Sequence, residues 1–176
     1  MFPRTTTHDY MPWSKMSIAI GDVLPSAQVR IMKDGAPTVV DIGELAGSGR
    51  VVLFAVPGAF TPGCSRQHLP GFVDKASEIS AAGVDRILCL GVNDVFVMDA
   101  WGKAQGVGDA IVMVADPDAQ FTRTLGMDID ASAFGLGIRS KRYAMVIQDG
   151  VVEALLPEED GFAISSSTAE CVLNAL

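Results

Sequence analysis

The sequence feature that most constrains the fold is a series of three short apolar runs separated by segments with helical spacing. These runs are Val51–Val56, Arg86–Val92 and Ala110–Ala115, and aliphatic and β-branched residues dominate them. Uninterrupted apolar runs of this length are typical of strands that are buried on both faces of a sheet. The sequence therefore predicts a sheet whose central strands are covered on both sides by helices.

Helices are expected between these strands. Ser65–Ala82 carries apolar residues at helical spacing, although Pro70 should kink this helix or distort its beginning. Asp94–Gly106 predicts a second helix, capped at its N-terminus by Asn93 or Asp94.

A hairpin and a helix complete the pattern near the C-terminus. The runs Arg142–Gln148 and Val151–Leu156 flank Asp149-Gly150, which is a strong hairpin turn signal. Ser167–Leu176 then has the pattern of a terminal helix. This order of elements predicts an α/β sandwich, with a mixed central sheet flanked by helices, and it suits a thioredoxin-like fold.

Length and composition indicate one folded domain. The chain has 176 residues, of which 49% are apolar and only 19% are charged, so a sizeable core can form. Residues 1–15 are polar and lack periodicity, whereas the sequence from Met16 onward reads as the opening of a domain. We expect a disordered extension over residues 1–15, which is dispensable for folding and activity, and a single domain over residues 16–176.

Charge and residue counts disfavour several classes of function. The net charge of −8 argues against nucleic-acid binding, because an acidic chain repels phosphate backbones. The longest apolar run, Val51–Phe60, is far too short for a membrane span and is interrupted by Pro57 and Gly58. Three cysteines form no disulfide framework, which favours a reducing compartment such as the cytoplasm. Two histidines and the lack of a Cys-x-x-Cys pair argue against a metal site.

The segment Pro57–Cys64 has the composition of a reactive site. It joins a buried strand to a helix, with Thr61 as a suitable N-cap and Pro62 as a suitable first helical residue. Cys64 then lies in the first turn, where free N–H groups and the helix dipole favour a thiolate nucleophile. The alternative interpretation is a small apolar residue packed at the start of a helix, because free cysteine is often buried.

This part of the chain resembles a known family. The segment VPGAFTPGCSRQHLPGFV, residues Val56–Val73, is similar to the active-site signature of the peroxiredoxins, and its long form resembles the type II, or peroxiredoxin-5-like, subgroup. The resemblance covers roughly Ile20–Leu176. It continues through Val92–Gly106, Ala115–Gly126 and Arg139–Leu155.

The resemblance implies an enzyme that reduces hydrogen peroxide and organic hydroperoxides without metal, haem or other bound cofactor. Cys64 matches the peroxidatic cysteine, which becomes a sulfenic acid. Thr61 matches the threonine that hydrogen-bonds peroxide and thiolate, and Pro57 matches the proline that shields the site. Arg142 matches the arginine beside the thiolate, with the nearby Arg139 as second choice. Its donors would stabilise the charge that develops on the leaving oxygen.

The route by which Cys64 is regenerated depends on the other two cysteines. Cys89 lies within an apolar strand and is more simply an inert buried thiol, although type II members often have a cysteine there. Animal members of the family carry a resolving cysteine at a place that lies near Ser166 here, within Ser165-Ser166-Ser167. We therefore expect an external thiol, glutathione with or without glutaredoxin, to resolve the sulfenic acid. The alternative is thioredoxin with Cys89 as the resolving residue. Cys171, in the last helix, could be partly exposed. The resemblance also implies a homodimer.

Two other functions remain open at this point. His68 lies one helical turn after Cys64, and a Cys-His pair is also the arrangement of cysteine hydrolases and transferases. The family keeps this histidine without using it as a base, so a packing or capping role is the simpler interpretation. The second alternative is a redox sensor, in which oxidation of Cys64 is a signal rather than a turnover.

Overall fold

The computed structural model describes residues 17–176, so the predicted extension over residues 1–15 lies outside the described residues. Seven strands form the main sheet in the order β2-β1-β5-β4-β3-β8-β9, and β6 and β7 form a small second sheet. The strands are β1 (Gln28–Lys33), β2 (Ala36–Asp41), β3 (Arg50–Val56), β4 (Arg86–Gly91), β5 (Val112–Ala115), β6 (Asp128–Asp130), β7 (Ile138–Ser140), β8 (Tyr143–Gln148) and β9 (Val151–Pro157).

The centre of the main sheet is mixed, as the sequence predicts. Strand β3 pairs in parallel with β4, which pairs in parallel with β5, and β3 pairs antiparallel with β8. Every residue of Val51–Val56 is fully buried. Its uninterrupted apolar run therefore reflects burial on both faces of the sheet. The predicted hairpin is also present, because β8 and β9 pair antiparallel across Asp149-Gly150.

Helices cover both faces of this sheet. They are α1 (Ile42–Leu45), α2 (Leu69–Ala81), α3 (Val95–Ala104), α4 (Gln120–Thr124) and α5 (Ala169–Ala175). Helices α2, α3 and α5 contribute to one apolar cluster, and α1 and α4 contribute to the cluster on the opposite face. Of the two predicted caps of α3, Asp94 is the one that caps the helix, because its side chain accepts from the Val97 N–H at 2.9 Å.

The structure differs from the prediction in several elements and bounds, including the small β6–β7 sheet. The antiparallel pair β1–β2 extends the sheet at one edge, although its exposed, irregular burial pattern gives little periodic signal. The predicted helix Ser65–Ala82 is present with a distorted beginning, because a π-helical turn, Cys64–His68, precedes α2. Within residues 17–176, none of the helices has the length and apolarity required to cross a membrane.

Candidate active site

Cys64 begins the π-helical turn at the carboxyl end of β3, on the side of the sheet covered by α2. Helical conformation starts at Pro62, as the sequence predicts, and the Leu69 N–H donates to the Cys64 carbonyl five residues back. Pro70 accounts for this wider turn, because it has no N–H to donate to the carbonyl four residues earlier. The predicted distortion is confirmed, and Cys64 lies fully buried above the sheet.

The loop before Cys64 is fixed by short polar contacts. The Thr61 hydroxyl donates to the Gly58 carbonyl at 2.7 Å, and the Ala59 N–H donates to Asn93 Oδ1 at 3.0 Å. Thr61 thus occupies the position expected of an N-cap, but its hydroxyl bonds back into the loop instead of capping the helix. Phe60 has a positive φ of 62° and remains exposed. Pro57 is buried where β3 ends.

Of the two candidate arginines, Arg142 is the one that contacts Cys64. Its Nη2 lies 3.4 Å from Cys64 Sγ, and its Nη1 lies 3.0 Å from His68 Nδ1. Only 4% of Arg142 is exposed, so the guanidinium acts in a poorly hydrated environment, where its charge interacts more strongly than in water. Strand β8 begins one residue later than predicted, and Arg142 immediately precedes it.

Arg139 lies in β7 and is partly buried. Its Nε donates to the Leu136 carbonyl at 2.8 Å, and its Nη1 donates to the Pro57 carbonyl at 3.5 Å. Arg139 therefore contacts the backbone of the proline rather than the sulfur. The structure brings Pro57, Thr61, Cys64 and Arg142 into one region, with Arg139 at its edge.

His68 is placed to position Arg142 rather than to deprotonate Cys64. Its Nε2 lies 2.8 Å from the Ser167 carbonyl, an acceptor, so Nε2 carries the proton and Nδ1 accepts from the Arg142 guanidinium. Burial, together with the adjacent Arg142 charge, lowers the pKa of His68 to about 4. The histidine is neutral at physiological pH, and its Nδ1 lone pair is already used.

Sequence reasoning missed Glu158. This carboxylate is almost fully buried and accepts hydrogen bonds from the N–H groups of Ser165, Ser166 and Ser167 at 2.8 to 2.9 Å, and from the Ser165 and Ser167 hydroxyls at 2.7 and 2.8 Å. Burial raises the pKa of Glu158, but these hydrogen bonds outweigh it and hold the pKa at about 2. The available signal was an acidic residue followed, within ten positions, by three consecutive serines.

The other two cysteines lie in different environments. Cys89 is fully buried in β4, where its register partners are Phe54 and Met113, and burial raises the pKa of its thiol well above the usual value. Cys171 in α5 is partly exposed, and its Sγ lies 3.3 Å from the Ser165 carbonyl. All three cysteines are free thiols in this structure.

This arrangement suits attack by sulfur on a weak bond that is cleaved heterolytically. The Arg142 guanidinium, with Nη2 3.4 Å from Cys64 Sγ, places a positive charge and N–H donors beside the attacking sulfur. The donors of Arg142 also lie close to the position at which a leaving oxygen would acquire negative charge. Such preorganised donors lower the barrier without reorganising during the reaction.

Comparisons with known proteins agree with this chemistry. Residues 19–173 match the Redoxin family. The chain is 49% identical over 165 residues to Peroxiredoxin-2E-2, chloroplastic, of Oryza sativa subsp. japonica, covering 91% of this chain and 73% of the relative. Reduced Prx3 of Vibrio vulnificus in complex with H2O2 is 46% identical, with a TM-score of 0.86, covering 90% of this chain and 98% of that chain.

Peroxiredoxin 5 of Alvinella pompejana is more distant but has the same architecture. It is 33% identical, with a TM-score of 0.78, over 90% of this chain and 97% of that chain. The predicted thioredoxin-like fold is thereby confirmed. The chain belongs to the redoxin family, and within it to the peroxiredoxins, which are thiol-dependent peroxidases.

Proposed function

We propose that this peroxiredoxin is a type II enzyme that works with one catalytic cysteine, Cys64, and is regenerated by glutathione and glutaredoxin. The observation that carries the proposal is the 3.4 Å contact between Arg142 Nη2 and Cys64 Sγ in a buried site. Two similarities support the type II subgroup. The rice relative is named Peroxiredoxin-2E-2, and the Alvinella structure is of a peroxiredoxin 5.

In the first half-reaction, the Cys64 thiolate attacks one oxygen of hydrogen peroxide or of an organic hydroperoxide. The S–O bond forms as the O–O bond breaks, and the electron pair moves to the leaving oxygen. That oxygen takes up a proton and departs as water or an alcohol, leaving Cys64 as a sulfenic acid. Arg142 donates to the reacting oxygens, and the Thr61 hydroxyl turns from Gly58 toward the peroxide. Pro57 shields the sulfur from water.

In the second half-reaction, an external thiol resolves the sulfenic acid. Glutathione forms a mixed disulfide with Cys64 and releases water, and a second glutathione, assisted by glutaredoxin, returns the thiol and leaves as oxidised glutathione. The position of Cys89 supports this route, because its thiol is buried in β4, which pairs with a strand on each side. The thioredoxin route through a Cys64–Cys89 disulfide would require local unfolding of β4 or of the Cys64 turn.

The enzyme needs no metal or other bound cofactor in this proposal. Within residues 17–176, no three His, Cys, Asp or Glu side chains are grouped as metal ligands. We also propose a reducing compartment, with the cytoplasm as first choice, in keeping with the three free thiols. A plastid is the alternative, since the name of the rice relative contains the word chloroplastic.

A homodimer is the proposed assembly, formed through the face around the active-site loop. Exposed apolar side chains lie on three segments that meet there, namely Phe60 in the loop, Phe96 in α3 and Phe134 before β7. The Ala59–Asn93 and Arg139–Pro57 hydrogen bonds bring these segments together. Exposed apolar side chains grouped in this way are typical of protein interfaces. Light scattering coupled to gel filtration tests this directly, with Phe96→Asp expected to shift the dimer toward monomer.

A coupled assay tests the reductant. Hydrogen peroxide turnover is followed by NADPH oxidation with glutathione, glutaredoxin and glutathione reductase in one arm, and with thioredoxin and thioredoxin reductase in the other. The proposal expects sustained turnover in the first arm that Cys89→Ser leaves intact. Turnover in the thioredoxin arm alone, abolished by Cys89→Ser, would contradict it. Stoichiometric peroxide consumption in both arms would instead indicate a redox sensor.

A further inference from the structure

Arg142 is oriented by a single irregular segment, Glu158–Ser167. The Arg142 N–H donates to the Gly161 carbonyl at 2.8 Å, and its Nε donates to the Phe162 carbonyl at 2.9 Å. The Arg142 carbonyl in turn accepts from the Glu158 N–H at 3.1 Å. The direction of the guanidinium therefore depends on where this segment places its carbonyl groups.

The segment contains no helix or strand that could fix it by regular hydrogen bonding. Its conformation is instead closed by the Glu158 carboxylate, which accepts from Ser165, Ser166 and Ser167 at the far end of the segment. Five hydrogen bonds converge on these two oxygens. Hydrogen bonds to a charged acceptor are stronger than neutral ones, and breaking them would leave a buried carboxylate without partners.

Glu158 is also connected to Arg142 by a second chain of hydrogen bonds, which runs through Ser167 and His68. Ser167 donates its hydroxyl to Glu158 at 2.8 Å and presents its carbonyl to His68 Nε2 at 2.8 Å. His68 then accepts from Arg142 Nη1 through Nδ1. Both paths begin at the Glu158 carboxylate, and both end at the guanidinium that contacts Cys64.

We propose that Glu158 is a positioning residue for the peroxidase reaction, whose carboxylate closes the segment Glu158–Ser167 and thereby aims the Arg142 guanidinium at Cys64. The proposal rests on the roles of Cys64 and Arg142 in the proposed function. Glu158 acts on Cys64 indirectly, because its carboxylate contacts the serines and not the sulfur.

The test is Glu158→Gln, which keeps the shape of the side chain but replaces one acceptor oxygen by an NH2 group facing N–H and hydroxyl donors. We expect the second-order rate constant of Cys64 with hydrogen peroxide, measured by stopped flow, to fall about tenfold. The pH profile of that rate constant should also change, because the guanidinium that contacts Cys64 Sγ is displaced. Glu159→Gln, at the exposed neighbouring position, is the matched control and should change neither quantity.

Testing Glu158→Gln in the Arg142→Ala variant separates a positioning role from general structural damage. In Arg142→Ala, the guanidinium is absent, so adding Glu158→Gln should lower the rate constant by less than about twofold. An equal tenfold loss in both backgrounds would overturn the proposal, and so would an unchanged rate constant in Glu158→Gln alone. If Arg142→Ala itself retained the full rate constant, the proposed function would fail rather than the role of Glu158.

A serine series keeps the proposal testable if Glu158→Gln does not fold. Ser165→Ala and Ser167→Ala each remove one hydroxyl donor and leave the carboxylate in place, so each should lower the rate constant by about twofold to threefold. Ser166 donates to Glu158 through its N–H, which alanine retains, so Ser166→Ala is the matched control. Equal rate constants in all three variants would overturn the proposal.

Discussion

Cys64 and Cys89 lie in the same apolar cluster and are both fully buried, yet their surroundings differ. Cys89 is in the middle of β4, and burial raises the pKa of its thiol well above the usual value. Cys64 is at the start of a helical segment, with a guanidinium nitrogen 3.4 Å from its sulfur. The comparison shows that two equally buried thiols can differ in whether a cation lies beside the sulfur, and such a cation is a feature of reactive cysteines.

The origin of the difference is local backbone structure. In a strand between two neighbours, such as β4, backbone N–H groups are taken by ladder hydrogen bonds. A chain that leaves a strand and enters a helix has N–H groups without intrahelical partners, and these can stabilise negative charge. The position of a cysteine relative to strand and helix boundaries therefore indicates more about its reactivity than its burial does.

The largest expected effect comes from replacing Cys64 by serine, and the same replacement at Cys89 is the comparison. Cys64→Ser should reduce peroxide turnover in the coupled assay to the background of the thiol reductant, because a serine hydroxyl is not ionised at neutral pH. Cys89→Ser should retain turnover within about twofold, provided that it folds. Loss of turnover in Cys89→Ser, with an unchanged circular dichroism spectrum, would make the two cysteines partners and contradict the comparison.

Removing the cation should have the next largest effect. Arg142→Ala should lower the rate constant for hydrogen peroxide by about 10²–10³-fold, the usual loss when one preorganised donor is removed. Arg139→Ala is the matched control and should lose less, since Arg139 contacts the Pro57 carbonyl rather than the sulfur. Stopped-flow oxidation measures both, and a larger loss in Arg139→Ala would reverse the assignment of the two arginines.

A third effect concerns stability and its dependence on pH. His68 beside Arg142 has its pKa lowered to about 4 in the folded protein, so between pH 7 and pH 5 it stays neutral there but takes up a proton on unfolding. The free energy of unfolding should therefore fall by about 2 kcal/mol from pH 7 to pH 5.

Urea unfolding at the two pH values measures this fall. His68→Gln cannot titrate in this range and should lose most of the difference between pH 7 and pH 5. If the variant kept the full pH dependence, other groups would be the source of that dependence. This result would contradict the claim that His68 is neutral in the folded protein between pH 7 and pH 5.

The smallest expected effect is on packing. Cys89→Ala removes one buried sulfur from the central sheet and should lower the free energy of unfolding by about 1–2 kcal/mol, because a small cavity remains. Cys171→Ala, at a partly exposed position, should change it by less than about 0.5 kcal/mol. Thermal unfolding of the two variants measures the contrast, and equal values would mean that the β4 core relaxes around the missing sulfur.

The sequence predicts the centre of the molecule better than its edges. Val51–Val56 is apolar at every position because both faces of the strand are covered. The apolar run by itself therefore predicts the strand. The edge strand β2 mixes exposed and half-buried residues and carries no such signal. The hairpin β8–β9 was predictable because Asp149-Gly150 fixes its turn.

The candidate site was predictable where neighbouring residues determine it. Thr61, Pro62 and Cys64 are close in sequence, and their spacing sets their place at a helix start. The resemblance favours Arg142 over Arg139, and the structure places Arg142 against the sulfur. The contact between Glu158 and the three serines was missed, because it depends on an irregular segment whose course has no periodic pattern.

The most direct test of the central claim is the mass of the reduced protein after a brief equimolar pulse of hydrogen peroxide, followed by peptide mapping of each cysteine. The account predicts one added oxygen on Cys64, none on Cys89, and conversion of the oxidised Cys64 to a glutathione adduct when glutathione is present. Oxygen on Cys89 with Cys64 unchanged, or the absence of any mass change, would contradict the claim that Cys64 is the reactive thiol.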